Sequence, residues 1–231
     1  MLVQTVVNDW GEVTYVPTTL GKILLAVLIL ALLVVSVVLV KKTTQKEESA
    51  KKKGLALSAK QLAFCAMALA LGTVLSNIKV FRFPTGGSIT LLSMLVICLP
   101  GYFFGLVPGI ITGVAYGVLQ MLIDPYILFP AQLVVDYILA FGAMGLSGLF
   151  SESKYGIVKG YIAAIIGRYV FAVISGWIFF GSYAWDGWSA LPYSLAYNAI
   201  YIFAEAAITI AILMIPAVRN ALGKIKSMSR E

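Results

Sequence analysis

GSYAWDGWSALPYSLAYN, Gly181 to Asn198, separates two long apolar segments, 159–180 and 191–216. Reading it decides the fold. Each neighbour is long enough, and poor enough in charge, to cross a bilayer as a helix, so the stretch between them is a turn at the membrane surface. Gly181, Asp186 and Gly187 bend the chain, Tyr183, Trp185 and Trp188 crowd the bend, and Tyr193, Ser194 and Asn198 start the next helix. Trp and Tyr at a membrane boundary are ordinarily interfacial anchors. A glycine-bent cluster beside polar groups at a helix start instead describes the rim and wall of a small-molecule pocket.

The rest of the chain points to the same environment. Of its 231 residues 61% are hydrophobic and 12% charged, and the mean hydropathy is +0.96. That leaves room for about seven spans of ~20 residues with short connections and no soluble catalytic domain. The net charge of +7 does not imply nucleic acid, because the lysines gather at Lys41 to Lys60 and in the tail from Arg219 to Arg230, beside apolar runs. Cys65 and Cys98 have no second sulfur or histidine nearby and read as packing residues.

Along the chain, residues 1–19 are mixed in character, carry Asp9 and Glu12, and do not read as a cleaved signal peptide. Residues 20–40 read as an additional transmembrane anchor helix in which Lys22 can snorkel, and 41–59 as a Lys-rich linker unable to bury a core. Residues 60–218 hold six further spans, expected at 60–78, 88–103, 105–123, 131–150, 159–180 and 191–216, and 219–231 form a basic tail. The expected fold is an all-α integral membrane protein, a six-helix bundle preceded by one extra N-terminal transmembrane helix. The positive-inside rule puts the linker, the 151–159 loop and the tail in the cytoplasm, so that 13 of the 17 basic residues lie inside and the N-terminus lies outside.

Charged side chains within spans need a reason. Asp136 sits about a turn and a half below the outer end of its span, with Gln132 one turn earlier on the same face and Tyr137 next to it. It either pairs with Arg168 to join two helices or serves as a ligand carboxylate, and Tyr126, Trp185, Tyr193 and Asn198 at similar depth favour the second reading. Arg168 is expected to be structural or a counter-charge, and Glu205 to hydrogen-bond between helices. Ala63, Ala66 and Ala70 recur at helical spacing, a small-residue stripe that admits another helix at close range.

Absent residues narrow the chemistry. GLSG at Gly145 to Gly148 has the form of an intramembrane serine-protease motif, but the chain has no histidine to activate Ser147. There is no GxxxxGK[ST] loop for ATP and no set of histidines, cysteines and carboxylates for a metal, so neither a cofactor nor an enzymatic activity is expected. A membrane enzyme or a structural subunit remains the alternative of a different class.

FPTGGS at Phe83 to Ser88, QLVVDYILAFGAMGLSG at Gln132 to Gly148, RYVFAVISGWIFFGSYAW at Arg168 to Trp185 and YSLAYNA at Tyr193 to Ala199 together resemble the thiamine-specific substrate-binding subunits (S components, ThiT type) of energy-coupling factor vitamin importers. The resemblance covers about residues 60–218. It implies a six-helix bundle that binds thiamine near the outer face and docks on a module of one transmembrane coupling protein and two ATPases. By resemblance, the acidic ligand falls on Asp136 and its neighbouring tyrosine on Tyr137, with Tyr126, Tyr193 and Asn198 as further contacts and Phe180 as the ring-stacking aromatic. Ala66 and Ala70 resemble the family's docking surface. Ala172 stands where many members carry a histidine, so a thiamine precursor or another heteroaromatic or cationic vitamin is the alternative ligand. Gln132 and Trp185 complete the expected binding set.

Overall fold

The computed structural model describes residues 3–7, 13–18, 20, 57–83, 86–124, 126 and 129–231. The anchor expected at 20–40 and the linker at 41–59 lie almost wholly outside them. Two short strands, β1 (Val3–Val7) and β2 (Val13–Pro17), pair antiparallel, with Val3 opposite Pro17 and Val7 opposite Val13.

Helix α1 (Ala59–Asn77) opens on a reciprocal cap: Ser58 Oγ accepts from the Gln61 amide at 3.2 Å, and Gln61 Oε1 accepts from the Ser58 amide at 3.0 Å. A hairpin follows, β3 (Lys79–Arg82) with β4 (Ser88–Thr90). Helices α2 (Ser93–Phe104), α3 (Leu106–Ile123), α4 (residues 130–150), α5 (Gly156–Phe179) and α6 (Ala190–Met214) complete the bundle. Finally α7 (Pro216–Arg230) turns away after Ile215, which is extended at ψ 119°, with Pro216 at its first turn.

Five of these helices, α1, α3, α4, α5 and α6, are long and apolar enough to cross a membrane. The span expected at 88–103 is corrected: its first residues form β4, and the 12-residue α2 starts only at Ser93. At 1.5 Å per residue α2 reaches about 18 Å, short of a ~30 Å hydrocarbon layer. The basic tail is also more ordered than its composition suggests, because Val218 and Leu222 recur one turn apart and pack against the main core. That core is built on Ile97, Cys98, Tyr116, Met144, Tyr161, Ile202 and Leu213, all essentially inaccessible.

Helix α4 departs from regular geometry along most of its length. Leu133–Leu139 is wound as a π-helix and Ala143–Phe150 as a 3-10 helix. The cause lies across the interface, where α3 presents Gly113 and Gly117 directly to the α4 backbone: a Cβ on Gly117 would overlap the Tyr137 carbonyl oxygen, and one on Gly113 the Phe141 carbonyl oxygen. With the main chains that close, α4 follows the surface of α3 rather than an ideal ladder.

Gly117→Val is therefore expected to destabilise the bundle by about 3 kcal/mol, the upper end of overpacking penalties, whereas Gly223→Ala, in open space in the middle of α7, should stabilise by about 0.5–1 kcal/mol. Thermal unfolding in detergent distinguishes the two.

Candidate functional site

The π-helical turn underwinds and widens α4 where it carries Asp136, and such turns often mark functional positions. Gln132 Nε2 donates to Asp136 Oδ2 at 3.0 Å and to the Tyr126 carbonyl at 2.8 Å, so one amide holds both the carboxylate and the loop before the helix. Tyr137 secures the same loop, its hydroxyl accepting from the Tyr126 amide at 2.8 Å. Tyr126 is thereby set face to face with Phe180, the ring centroids 5.9 Å apart and the planes 15° from parallel. Burial, with Tyr183 alongside, pushes the Tyr126 phenol up to about 12, so it stays a neutral hydroxyl through the physiological range.

Helices α5 and α6 form the opposite wall. Asn198 Nδ2 donates to the Ala172 carbonyl at 3.3 Å and the Ser194 carbonyl at 2.8 Å, and Asn198 Oδ1 accepts from the Tyr201 hydroxyl at 2.7 Å. Ser194 Oγ donates to the Val173 carbonyl at 2.8 Å. A ladder of rings, Tyr193, Tyr197 and Tyr201, descends α6 with centroid steps of 5.5 and 5.7 Å.

These walls enclose a cavity of about 180 Å³. Of the residues expected to bind ligand, Tyr126, Gln132, Asp136, Tyr137, Phe180, Tyr193 and Asn198 all line it. Trp185 does not: it is 43% exposed and packs edge-on against Tyr193, centroids 5.3 Å apart, so it supports the wall from outside. Ala172 lines the cavity with its small side chain.

The interhelical Asp136–Arg168 pair is not formed. Among the described residues Asp136 has no cation within ion-pairing distance. Arg168 instead lies with its guanidinium 4.5 Å from the Phe141 ring centroid and one nitrogen 4.0 Å from the Met144 sulfur, at the inner end of the same cavity.

Two features of the cavity were not foreseen in the sequence. Glu205 does more than join helices. Its carboxylate accepts from the Thr90 amide at 3.0 Å, the Thr90 hydroxyl at 2.6 Å and the Met94 amide at 3.1 Å. It thus caps the N-terminus of α2 and fixes the end of β4. Asp124, at the end of α3, binds Lys79 and lies 3.4 Å from Arg82, pinning the β3–β4 hairpin beside the mouth. The Lys79 hydrogen bond holds the Asp124 carboxyl below the usual carboxylate range. A lowered pKa means that this latch is intact above the ordinary carboxylate value, about 4, and is lost only as pH falls through the lowered value.

The profile of the thiamine transporter protein family (Thia_YuaJ) matches residues 62–223. The chain belongs to this family. It is 37% identical over 153 residues to the thiamine transporter ThiT of Bacillus subtilis (strain 168), an alignment covering 59% of this chain and 79% of that protein. The thiamine transporter ThiT of Lacticaseibacillus paracasei is 29% identical over 126 residues, which cover 47% of this chain and 63% of that one. The solved structure of ThiT from Listeria monocytogenes superposes with a TM-score of 0.58 at 26% identity, covering 68% of this chain and 94% of that chain. All four motifs that suggested the resemblance fall within the matched residues, and the family membership identifies a multi-pass membrane transport protein whose named relatives are transporters. Residues 1–61, with the β1–β2 hairpin, lie outside the family match.

Glu205→Ala would strip the Thr90 and Met94 amides of their acceptor, at about 1–3 kcal/mol for each buried donor left unpaired. The expected outcome is a lower melting temperature, with faster hydrogen exchange at Thr90 and Met94 and unchanged exchange in α7.

Proposed function

We propose that this chain is the substrate-binding subunit of an energy-coupling factor importer, capturing thiamine from outside the cell. The observation that carries the reading is the Asp136 carboxylate: set in the wall of the cavity, hydrogen-bonded by Gln132, and with no cation in ion-pairing distance among the described residues. An anion placed so within a membrane bundle is unfavourable until something supplies the missing donors and charge. Thiamine offers both, an aminopyrimidine edge that donates to a carboxylate and a permanently positive thiazolium drawn to aromatic faces. Tyr126, Phe180 and Tyr193 supply those faces.

The roles then divide by element. Asp136 orients the pyrimidine, with Gln132 and Tyr137 fixing the carboxylate and the loop above it. Asn198 already donates to the Ala172 and Ser194 carbonyls, so it holds the α5–α6 wall in register and meets the ligand from there. Trp185 backs Tyr193.

The sequence has no phosphate-cradling loop, so ATP must be hydrolysed elsewhere. In this reading a coupling protein and two ATPases drive release to the inside. Ala66 and Ala70 are exposed on α1 and offer a close-approach surface for a helix of the coupling protein. The pocket mouth faces outward, and the basic opposite end, with Lys154, Lys159 and Lys224, faces the cytoplasm.

Calorimetric titration of thiamine into the purified chain tests the reading. We expect saturable binding that Asp136→Asn weakens about 100-fold, the equivalent of ~2.7 kcal/mol, in the range for losing one partner of a buried charged pair. Wild-type binding no tighter than millimolar, or an Asp136→Asn variant that binds as well as wild type, would contradict it. Titrating the separate pyrimidine and thiazole precursors alongside decides between thiamine and the alternative ligands.

A further inference from the structure

The end of the bundle opposite the pocket carries a helix that the thiamine reading does not use. The loop and helix-end groups there dock α7 along one side. Arg230 Nε donates to the Phe103 carbonyl at 2.6 Å, an Arg230 terminal nitrogen lies 2.7 Å from the Glu152 carboxylate, and Lys226 bonds the Ser151 carbonyl. Val218 and Leu222 seat the underside against the core, and Lys60 Nζ donates to the Met228 carbonyl at 2.7 Å. At 100° per residue the anchoring side chains, Val218, Leu222, Lys226 and Arg230, occupy about a third of the circumference.

The remaining flank is different in kind. Ala221, Ile225 and Met228 follow one another at spacings of four and three, so they share a face. Ile225 is 41% and Met228 65% exposed. Met214 and Ile215, at the end of α6, are exposed next to the start of α7 and extend the apolar surface onto a membrane-spanning helix. Lys224 borders this flank on its outer side and, among the described residues, makes no ion pair or hydrogen bond. Lys154 and Lys159 on the adjoining loop and helix are also exposed, and Glu152, the one acidic residue of that loop, is already held by Arg230 and Lys226.

We propose that α7 is a lipid-binding helix: its Ala221–Ile225–Met228 flank enters the headgroup–acyl boundary, and Lys224 holds the headgroup of an anionic phospholipid. Three observations select lipid as the occupant. The flank continues the surface of α6, which already faces hydrocarbon. An apolar face edged by an unpaired lysine is the amphipathic pattern of helices that lie in the interface plane. The surrounding charge is net positive, with Lys154, Lys159 and Lys224 outnumbering the exposed Glu231, which favours anionic headgroups. The inference is independent of the ligand bound in the pocket.

The test uses the full chain in phosphatidylcholine nanodiscs containing a minority of phosphatidylglycerol, with retained lipid quantified by mass spectrometry after detergent extraction. Wild type should retain phosphatidylglycerol over phosphatidylcholine. Lys224→Ala should reduce that retention about fivefold, the equivalent of the ~1 kcal/mol that one lysine contributes near an anionic surface, and Ile225→Ser with Met228→Ser should reduce it further. Lys159→Ala, a cation of the same end lying off the flank, should cost clearly less retention than Lys224→Ala, and thiamine binding should be unchanged in all of these variants. Equal retention of the two lipids by wild type would overturn the proposal, as would equal losses from Lys159→Ala and Lys224→Ala, which would mean annular charge attraction only. Flank variants that keep the lipid but no longer co-purify with a coupling protein would overturn it too, by assigning the flank to a protein partner.

Discussion

At Gly117 the α3 main chain runs so close to the Tyr137 carbonyl that no side chain fits between them, and at Gly113 the same holds for Phe141. This backbone-to-backbone approach sets the path of α4. Without water between the helices, packing at that distance replaces the hydrophobic drive that joins helices in solution. Following α3 draws α4 into a π-helical turn at Leu133–Leu139. Gln132 and Asp136 both lie on the cavity side of that region, with Tyr137 bonded back to the Tyr126 loop. A larger residue on α3 would therefore disturb the binding wall without touching any ligand.

Among the described residues three charged groups, Glu205, Arg168 and Asp136, sit inside the bundle, and the fold treats each differently. Glu205 is satisfied by the donors at the start of α2 and the end of β4, and it needs nothing further. Arg168 spreads its charge over the Phe141 ring and the Met144 sulfur, both soft partners. Among the described residues Asp136 receives one amide, from Gln132, and it lines the cavity. The first two arrangements are structural. The third leaves a carboxylate open to the cavity, and it is this inequality that makes Asp136 the residue on which the proposed function rests.

Much of this was legible in the chain. The apolar runs located the membrane helices, and the polar and aromatic residues that interrupt them located seven cavity residues. What escaped has physical causes. SITLLSMLVICLP, from Ser88, is apolar whether extended or helical, so hydropathy could not show that β4 ends before α2 begins. The π-turn depends on contact with glycines some twenty residues upstream, and no local pattern encodes it. An Asp136–Arg168 pair stood in the sequence only as the less favoured alternative, because spacing along the chain says nothing of lateral distance, and an aromatic ring lies beside the arginine instead. Trp185 looked like a wall because its neighbours are, whereas one layer of tyrosine separates it from the cavity. In the tail, the basic composition hid the recurrence of Val218 and Leu222 that makes α7 a docked helix.

The central claim concerns where a ligand sits, and the most direct measurement is a crystal structure of the chain grown with thiamine, with the ligand's sulfur located by anomalous scattering. The account predicts one such peak within the cavity, with the aminopyrimidine in hydrogen-bonding distance of the Asp136 carboxylate and the thiazolium against the rings of Tyr126, Phe180 or Tyr193. Thiamine density outside this cavity, or inside it with the pyrimidine turned away from Asp136, would contradict it.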